Sequence, residues 1–245
     1  YREHPDWAIH IDEREGVQSR NQMVLDLSRD EVCEYVINAV SDILANANIE
    51  YVKWDMNRQL TDMPRLGYNH EYTLGYYKIM SAITEKFPNI LFEGCSAGGG
   101  RFDAGVLAYM PQIWTSDNSD AIARLKMQYS TSMCYPVYSI SSHVTASPNH
   151  QCGRVTSLKT RADVAYCGTF GYELDVTKMS DEEFKEIKAQ IKFEKRIQDL
   201  MCNGDLYRLI NPYETNYCSW EVISKDKKHI FVMACKVLAV AQTKS

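Results

Sequence analysis

The sequence predicts an α/β fold built on parallel strands that continues into a small all-β segment. Three observations carry this. Short apolar strands alternate with amphipathic helices up to residue 203, nearly every such strand ends in polar or reactive side chains, and the remaining residues read as strands without intervening helices. Parallel strands joined by helices either close into a barrel or spread into a doubly wound sheet. A barrel gathers all strand ends around one mouth, whereas an open sheet uses mainly those at its switch point. Asp55 and Asn57, Cys95 and Ser96, Ser116 and Asp117, His143, then Glu173 and Asp175 fall at successive strand ends, so a barrel is predicted.

The elements follow in order. Asp30 to Asn48 places Val32, Tyr35, Val36, Ala39, Val40, Ile43 and Leu44 at helical intervals, and Ser28 with Glu31 predicts a capping box in front of them. Glu50 to Asp55 is rich in aromatic and β-branched residues and predicts a strand, followed by a polar loop to about Gly67. A helix through Tyr72, Tyr76, Ile79, Met80, Ile83 and Phe87 ends at Pro88-Asn89, and Ile90 to Gly94 is the next strand. Further strands are predicted near Gln112 to Thr115, Val137 to Thr145 and Thr169 to Leu174, with helices beginning near Arg101, Ser119 and Ser157. A long charged helix runs from Asp181 to about Met201. Tyr207 to Ile210, Tyr217 to Ile223 and His229 to Val240 then read as antiparallel strands. Residues 1–203 therefore form the barrel part, and 204–245 an incomplete β-rich domain. Five barrel strands and a domain stub, in a chain that opens on Tyr1, predict a fragment of a longer protein.

Composition narrows the function classes. Of 245 residues, 45% are hydrophobic and 24% charged, which excludes a disordered chain and leaves enough apolar surface for a sizeable core. Acids outnumber bases by 32 to 27 without long runs of either sign, so nucleic acid is not an expected partner. No stretch approaches the roughly 20 apolar residues of a membrane span, and the amino end lacks a secretion signal, so a soluble chain is expected. The eight cysteines form no Cys-x-x-Cys pair and read as reduced thiols in the cytoplasm.

Three phrases can carry chemistry. In Tyr51-Val52-Lys53-Trp54-Asp55, lysine and aspartate sit two apart at a strand end and face the same side. A cation there holds Asp55 ionised, and an ionised carboxylate is a usable nucleophile. The same spacing also suits a surface ion pair. Trp114-Thr115-Ser116-Asp117 delivers a second acid two strands later, with Asp120 three residues on. Two carboxylates at one mouth are the minimum for glycoside hydrolysis. Asp120 stands at a helix start and reads as a cap, leaving Asp117 the better catalyst. Glu93 to Arg101 is a glycine-rich turn able to bring bare amides to a ligand, but it lacks the endings of nucleotide-binding loops, so a hydroxyl-rich neutral ligand fits as well. Cys95 has no identifiable base beside it and reads as packing or a weak hydrogen bond. His143, His150 and Cys152 have no recognised metal spacing, and no metal is predicted.

Taken together, Arg20-Asn21-Gln22 through Leu27, Tyr51 to Arg58, Gly94-Cys95-Ser96 through Asp103, Pro111 through Ala121, His143 through Gln151 and Gly171 to Asp175 resemble the glycoside hydrolase family 36 α-galactosidases, or melibiases, of the bacterial type. The resemblance implies a (β/α)8 (TIM) barrel, here about its last five strands, followed by the start of a carboxyl-terminal β-sandwich. It also implies retaining hydrolysis of terminal α-1,6-linked galactose from melibiose, raffinose and related oligosaccharides, without a cofactor. By position it makes Asp55 the nucleophile and Asp117 the acid/base, so it decides between Asp117 and Asp120. Lys53, Arg20, Cys95 and Gly98 become sugar-hydroxyl contacts. Relatives assemble as tetramers, which implies a homo-oligomer. The family's amino-terminal β-domain, first strands and paired aspartates have no counterpart here, and Ala97 stands where many relatives carry glycine or serine. Two rival readings keep other chemistry in view: a galactosyl transferase of the raffinose-synthase kind, and a non-catalytic sugar-binding fragment.

Overall fold

The computed structural model describes residues 1–238, in two compact units that divide between Pro111 and Gln112. The first unit holds α1 (Asp30–Asn46), β1 (Tyr51–Trp54), α2 (Tyr68–Lys86) and β2 (Leu91–Gly94). β1 and β2 pair in parallel with Tyr51 opposite Leu91, Lys53 opposite Glu93 and Trp54 opposite Gly94. α2 makes the crossover. Its buried positions are Tyr68, Tyr72, Gly75, Tyr76, Ile79, Met80 and Ile83, the three- and four-residue spacing of one helix face. Burying a side chain of the size of Ile79, Met80 or Ile83 is worth about 1.5–3 kcal/mol. Gly75 is fixed by contact, because an added Cβ would lie 1.8 Å from the carbonyl oxygen of Leu27.

Three expectations change in this unit. The capping box before α1 does not form, because Asp26 takes both the backbone N–H of Ser28 (3.0 Å) and its hydroxyl (2.6 Å), while Glu31 pairs with Arg29 at 2.8 Å. α1 buries Val32, Cys33, Ser41 and Leu44, leaving Tyr35 and Ile43 exposed, so its inward seam is rotated from the predicted stripe. The helix expected from Arg101 is only a single 3-10 turn at Val106–Ala108. Gly98, Gly99, Gly100 and Gly105 lower helix propensity there, and the Asp103 carboxylate accepts the Val106 N–H at 2.8 Å.

The second unit continues the alternation with β3 (Gln112–Trp114), α3 (Ala121–Thr131), β4 (Ile140–Thr145), α4 (Leu158–Ala165), β5 (Thr169–Glu173) and α5 (Asp181–Asn203). β3 pairs with β4 and β4 with β5, all parallel. β4 is buried along nearly its whole length, as a strand covered on both faces must be. The predicted strand start at Val137 is instead a 3-10 turn, Val137–Ser139, because Pro136 sets a turn in which Ser139 N–H donates to the Pro136 carbonyl at 3.0 Å. Asp120, Ser157 and Ser180 cap α3, α4 and α5, the last in a complete capping box with Glu183.

After Gly204 the chain forms an antiparallel sheet, β6 (Asp205–Ile210), β7 (Tyr217–Ile223) and β8 (Ile230–Lys236). Of the strand expected over 229–240, residues 239 and 240 lie outside the described residues. Cys218, Trp220 and Met233 of this sheet bury against Ala121, Leu125 and Tyr129 of α3 and Val164 and Cys167 near α4. The architecture is that of a partial (β/α)8 barrel followed by a small antiparallel sheet. Among the described residues no helix is long and apolar enough to cross a membrane.

Candidate active site

The β1 end in the first unit presents Lys53 and Asp55 on one face, as alternation requires. Lys53 pairs with Glu93, its register neighbour on β2, at 3.4 Å. Glu93 is wholly buried, and its second oxygen accepts the Tyr51 hydroxyl at 2.6 Å. Burial first, then this hydrogen bond, pushes the Tyr51 phenol far up. The strand pattern gave no hint of Glu93 as a partner, since nothing in it reveals register across forty positions.

Asp55 is exposed, and its oxygens are claimed locally. Oδ1 accepts the backbone N–H of Met56 at 2.8 Å and Oδ2 accepts Asn57 Nδ2 at 2.5 Å. Partial burial works against ionisation, but hydrogen bonds from Cys95, Asn57 and the Met56 N–H, then the charge of Lys53, outweigh it and hold the carboxyl below its ordinary range. Lys53 is thus a minor contributor to ionising Asp55, and the hydrogen bonds dominate. Cys95, buried just past β2, is pushed up to about 11, chiefly by burial and further by Asp55, against the Gly98 backbone hydrogen bond. It remains a thiol below that pH.

The glycine-rich turn after Cys95 folds on itself, with Ser96 N–H donating to Gly98 O at 2.7 Å and Gly100 N–H to Ser96 O at 3.2 Å. Ala97 (φ 46°) and Gly98 (φ 90°) both lie in the left-handed region, which glycine adopts at little cost and alanine does not. Ser96 Oγ donates to Met56 O at 3.1 Å, tying the turn to the Asp55 loop. Arg101 adds a second tie: its Nη2 donates to Trp54 O (3.1 Å) and Cys95 O (2.7 Å) while its guanidinium lies 4.6 Å from the Tyr76 ring centroid. Sequence reading passed over Arg101 because its partners are backbone carbonyls.

Arg20 occupies the first left-handed position (φ 55°) of a tight hairpin in which Asn21 is also left-handed (φ 57°) and Ser19 and Gln22 exchange backbone hydrogen bonds. Its side chain is exposed and makes no hydrogen bond or ion pair with another described residue. Buried Arg58 donates to Gln22 O at 3.4 Å and also to Val17 O, joining this hairpin to the Asp55 loop. The first unit therefore brings Lys53, Asp55, Cys95 and Gly98 together around the ends of β1 and β2, with Arg20 on a tethered hairpin. A cavity of about 570 Å³ lies beside them, between Met56, Tyr72, Tyr76, Ser96 and Arg101, but Asp55, Lys53 and Cys95 do not line it.

In the second unit Asp117 is exposed on the loop between β3 and α3. Trp114 Nε1 donates to its Oδ1 at 3.1 Å, and Gln151 Nε2 to its carbonyl at 2.6 Å. Gln151 also accepts the Ser119 N–H at 3.1 Å, and Thr145 donates to Ser119 O at 2.9 Å, so the loop is held from the segment after β4. Asp120 is buried, accepts the Ala123 N–H at 3.0 Å and meets Arg154 Nε with both oxygens at 3.1 Å. It is a helix cap, as its position predicts. His143 lies within β4, facing Glu173 at 3.0 Å. All eight cysteines are unpaired, and no cluster of three or more metal-ligating side chains occurs among the described residues.

A family model for melibiases matches residues 1–204. The chain is 50% identical over 249 residues to the α-galactosidase AgaA of Geobacillus stearothermophilus, an alignment covering 98% of this chain and 34% of that protein. It is 46% identical over 250 residues to the α-galactosidase Mel36A of Lactobacillus acidophilus, covering 99% of this chain and 34% of that one. The crystal structure of AgaA matches all of this chain, and 35% of its own, with a TM-score of 0.96 at 50% identity. An AgaA variant solved in complex with raffinose gives the same TM-score at 49% identity, again over 100% of this chain and 35% of that one. The chain thus spans about a third of the length of these relatives.

Proposed function

The chain belongs to the melibiase family, and on that premise we propose that it supplies both catalytic carboxylates of a retaining exo-α-galactosidase acting on terminal α-1,6-linked galactose of melibiose and raffinose. Asp55 attacks the anomeric carbon, Asp117 protonates the departing oxygen, and Asp117 then draws a proton from the water that releases galactose. Lys53, Arg20, Cys95 and Gly98 receive the sugar hydroxyls. The observation that carries this reading is the setting of Asp55 at a strand end, where the Met56 N–H and Asn57 Nδ2 donate to its two oxygens and favour the charged carboxylate. A nucleophile needs that charge. AgaA variants solved with raffinose and with stachyose support the substrate class.

We further place the domain boundary at 203/204, where α5 gives way to β6, and assign the unpaired thiols to a reducing cytoplasm. Two measurements on the full-length protein test the central reading. Asp55→Ala abolishes raffinose turnover, and unchanged hydrolysis would remove the assignment. Proton NMR of the first-formed galactose shows the α-anomer, whereas initial β-galactose would exclude a double displacement.

A further inference from the structure

β3 ends on Trp114, and its indole is unusually constrained. The residue is 4% exposed. It stacks on His143 with ring centroids 4.6 Å apart and planes inclined by 21°, and the Arg124 guanidinium carbon lies 3.9 Å from its centroid. Arg124 is itself anchored, with Nη1 donating to Thr115 Oγ1 at 2.9 Å and Nη2 to Ser116 O at 2.6 Å. The cation therefore cannot leave the ring without giving up two hydrogen bonds, both to the stretch that leads into Asp117. A buried indole N–H needs an acceptor, and this one finds Asp117 Oδ1 at 3.1 Å. A cation against the ring also draws electron density from it, which makes the N–H a better donor. Gln151 fixes the Asp117 backbone separately.

We infer that Trp114 is a positioning residue for proton transfer: it holds Oδ1 of Asp117 so that Oδ2, which receives no hydrogen bond from the described residues, carries the proton. This rests on the acid/base role proposed for Asp117. An N–H donor on Oδ1 suits both states of the cycle. In the first half, Asp55 bonds to the anomeric carbon, the glycosidic oxygen keeps the electron pair of its broken bond to that carbon, and the Oδ2–H proton passes to that oxygen. In the second, Oδ2 takes a proton from water while the water oxygen bonds to that carbon and Asp55 leaves. In both halves the carboxyl plane stays fixed by the indole, and the proton moves at one defined atom.

Leaving groups separate this role from packing. A sugar alkoxide departs only with a proton, whereas nitrophenolate departs almost without help. In the full-length protein, Trp114→Phe should lose at least about ten-fold more kcat/KM on raffinose than on 4-nitrophenyl α-galactoside. Benzothienylalanine at position 114 keeps the ring shape and exchanges the N–H for sulfur, so it should give the same discrimination without disturbing the fold. Equal losses on both substrates, or none on either, would overturn the inference. Asp117→Asn is run alongside. If it discriminates and the position-114 variants do not, Trp114 alone is misassigned; if Asp117→Asn spares raffinose, the acid/base assignment falls and takes this inference with it.

Discussion

The pairing of Lys53 with Glu93 can be measured directly. Two unit charges 3.4 Å apart attract by about 5 kcal/mol at an effective dielectric constant of about 20. Lys53 keeps 36% of its side-chain surface in water, and a fully solvated pair yields about 1 kcal/mol or less. The coupling should therefore fall near 2 kcal/mol. Glu93→Gln alone should cost more, about 3 kcal/mol, because it also weakens the charge-assisted bond from Tyr51 and removes the carboxylate paired with Lys53. A double-mutant cycle with Glu93→Gln and Lys53→Met, read by urea denaturation, isolates the pair. A coupling below about 0.5 kcal/mol would show that Lys53 is held by something other than Glu93, and the account of the β1 end given above would be wrong.

The neighbouring acids Asp117 and Asp120 should separate cleanly. Asp120→Ala removes a helix cap and the partner of Arg154, and should lower stability by about 1–2 kcal/mol and Tm by about 2–8 °C, whereas Asp117→Asn, at an exposed position, should stay within about 0.5 kcal/mol of the parent. Calorimetry on both variants checks this, and an equally destabilised Asp117→Asn would contradict it. Cys95, pushed up to about 11 mainly by burial, stays protonated below that pH. Iodoacetamide mapping at pH 8 should therefore label the exposed Cys134 and Cys152 first and reach Cys95 only as pH approaches 11. Asp55→Asn removes a charge that disfavours the thiolate, so it should move Cys95 labelling to lower pH; no movement would place the thiol elsewhere than against Asp55.

Periodicity made most of the architecture legible. The face of α2 from Tyr68 to Ile83 and the strands flanking it follow from spacing, and Asp120 was readable as a cap because capping needs only a local oxygen near the first free amides. Local signals failed where a nearer competitor intervened. Ser28 and Glu31 satisfy the capping-box pattern, but Asp26 and Arg29 claim them first. Nothing local foretold the partners of Lys53 or Arg101. Those depend on strand register and on carbonyls at two strand tips. Sequence patterns thus locate Asp55 and Cys95 at strand ends, while the ties that join those two ends, through Lys53–Glu93 and Arg101, emerge only when the strands are aligned.

The single Nη2 of Arg101 that grips both Trp54 O and Cys95 O has a mechanical consequence. The peptide carrying Asp55 and the one following Cys95 share an anchor, so neither tip can drift alone. Thermal motion there is expected to be correlated, and a mutation that loosens one tip transmits the error to the other. Tyr76 beneath the guanidinium extends that coupling into α2, so a change in the helix surface can register at the carboxylate without touching it.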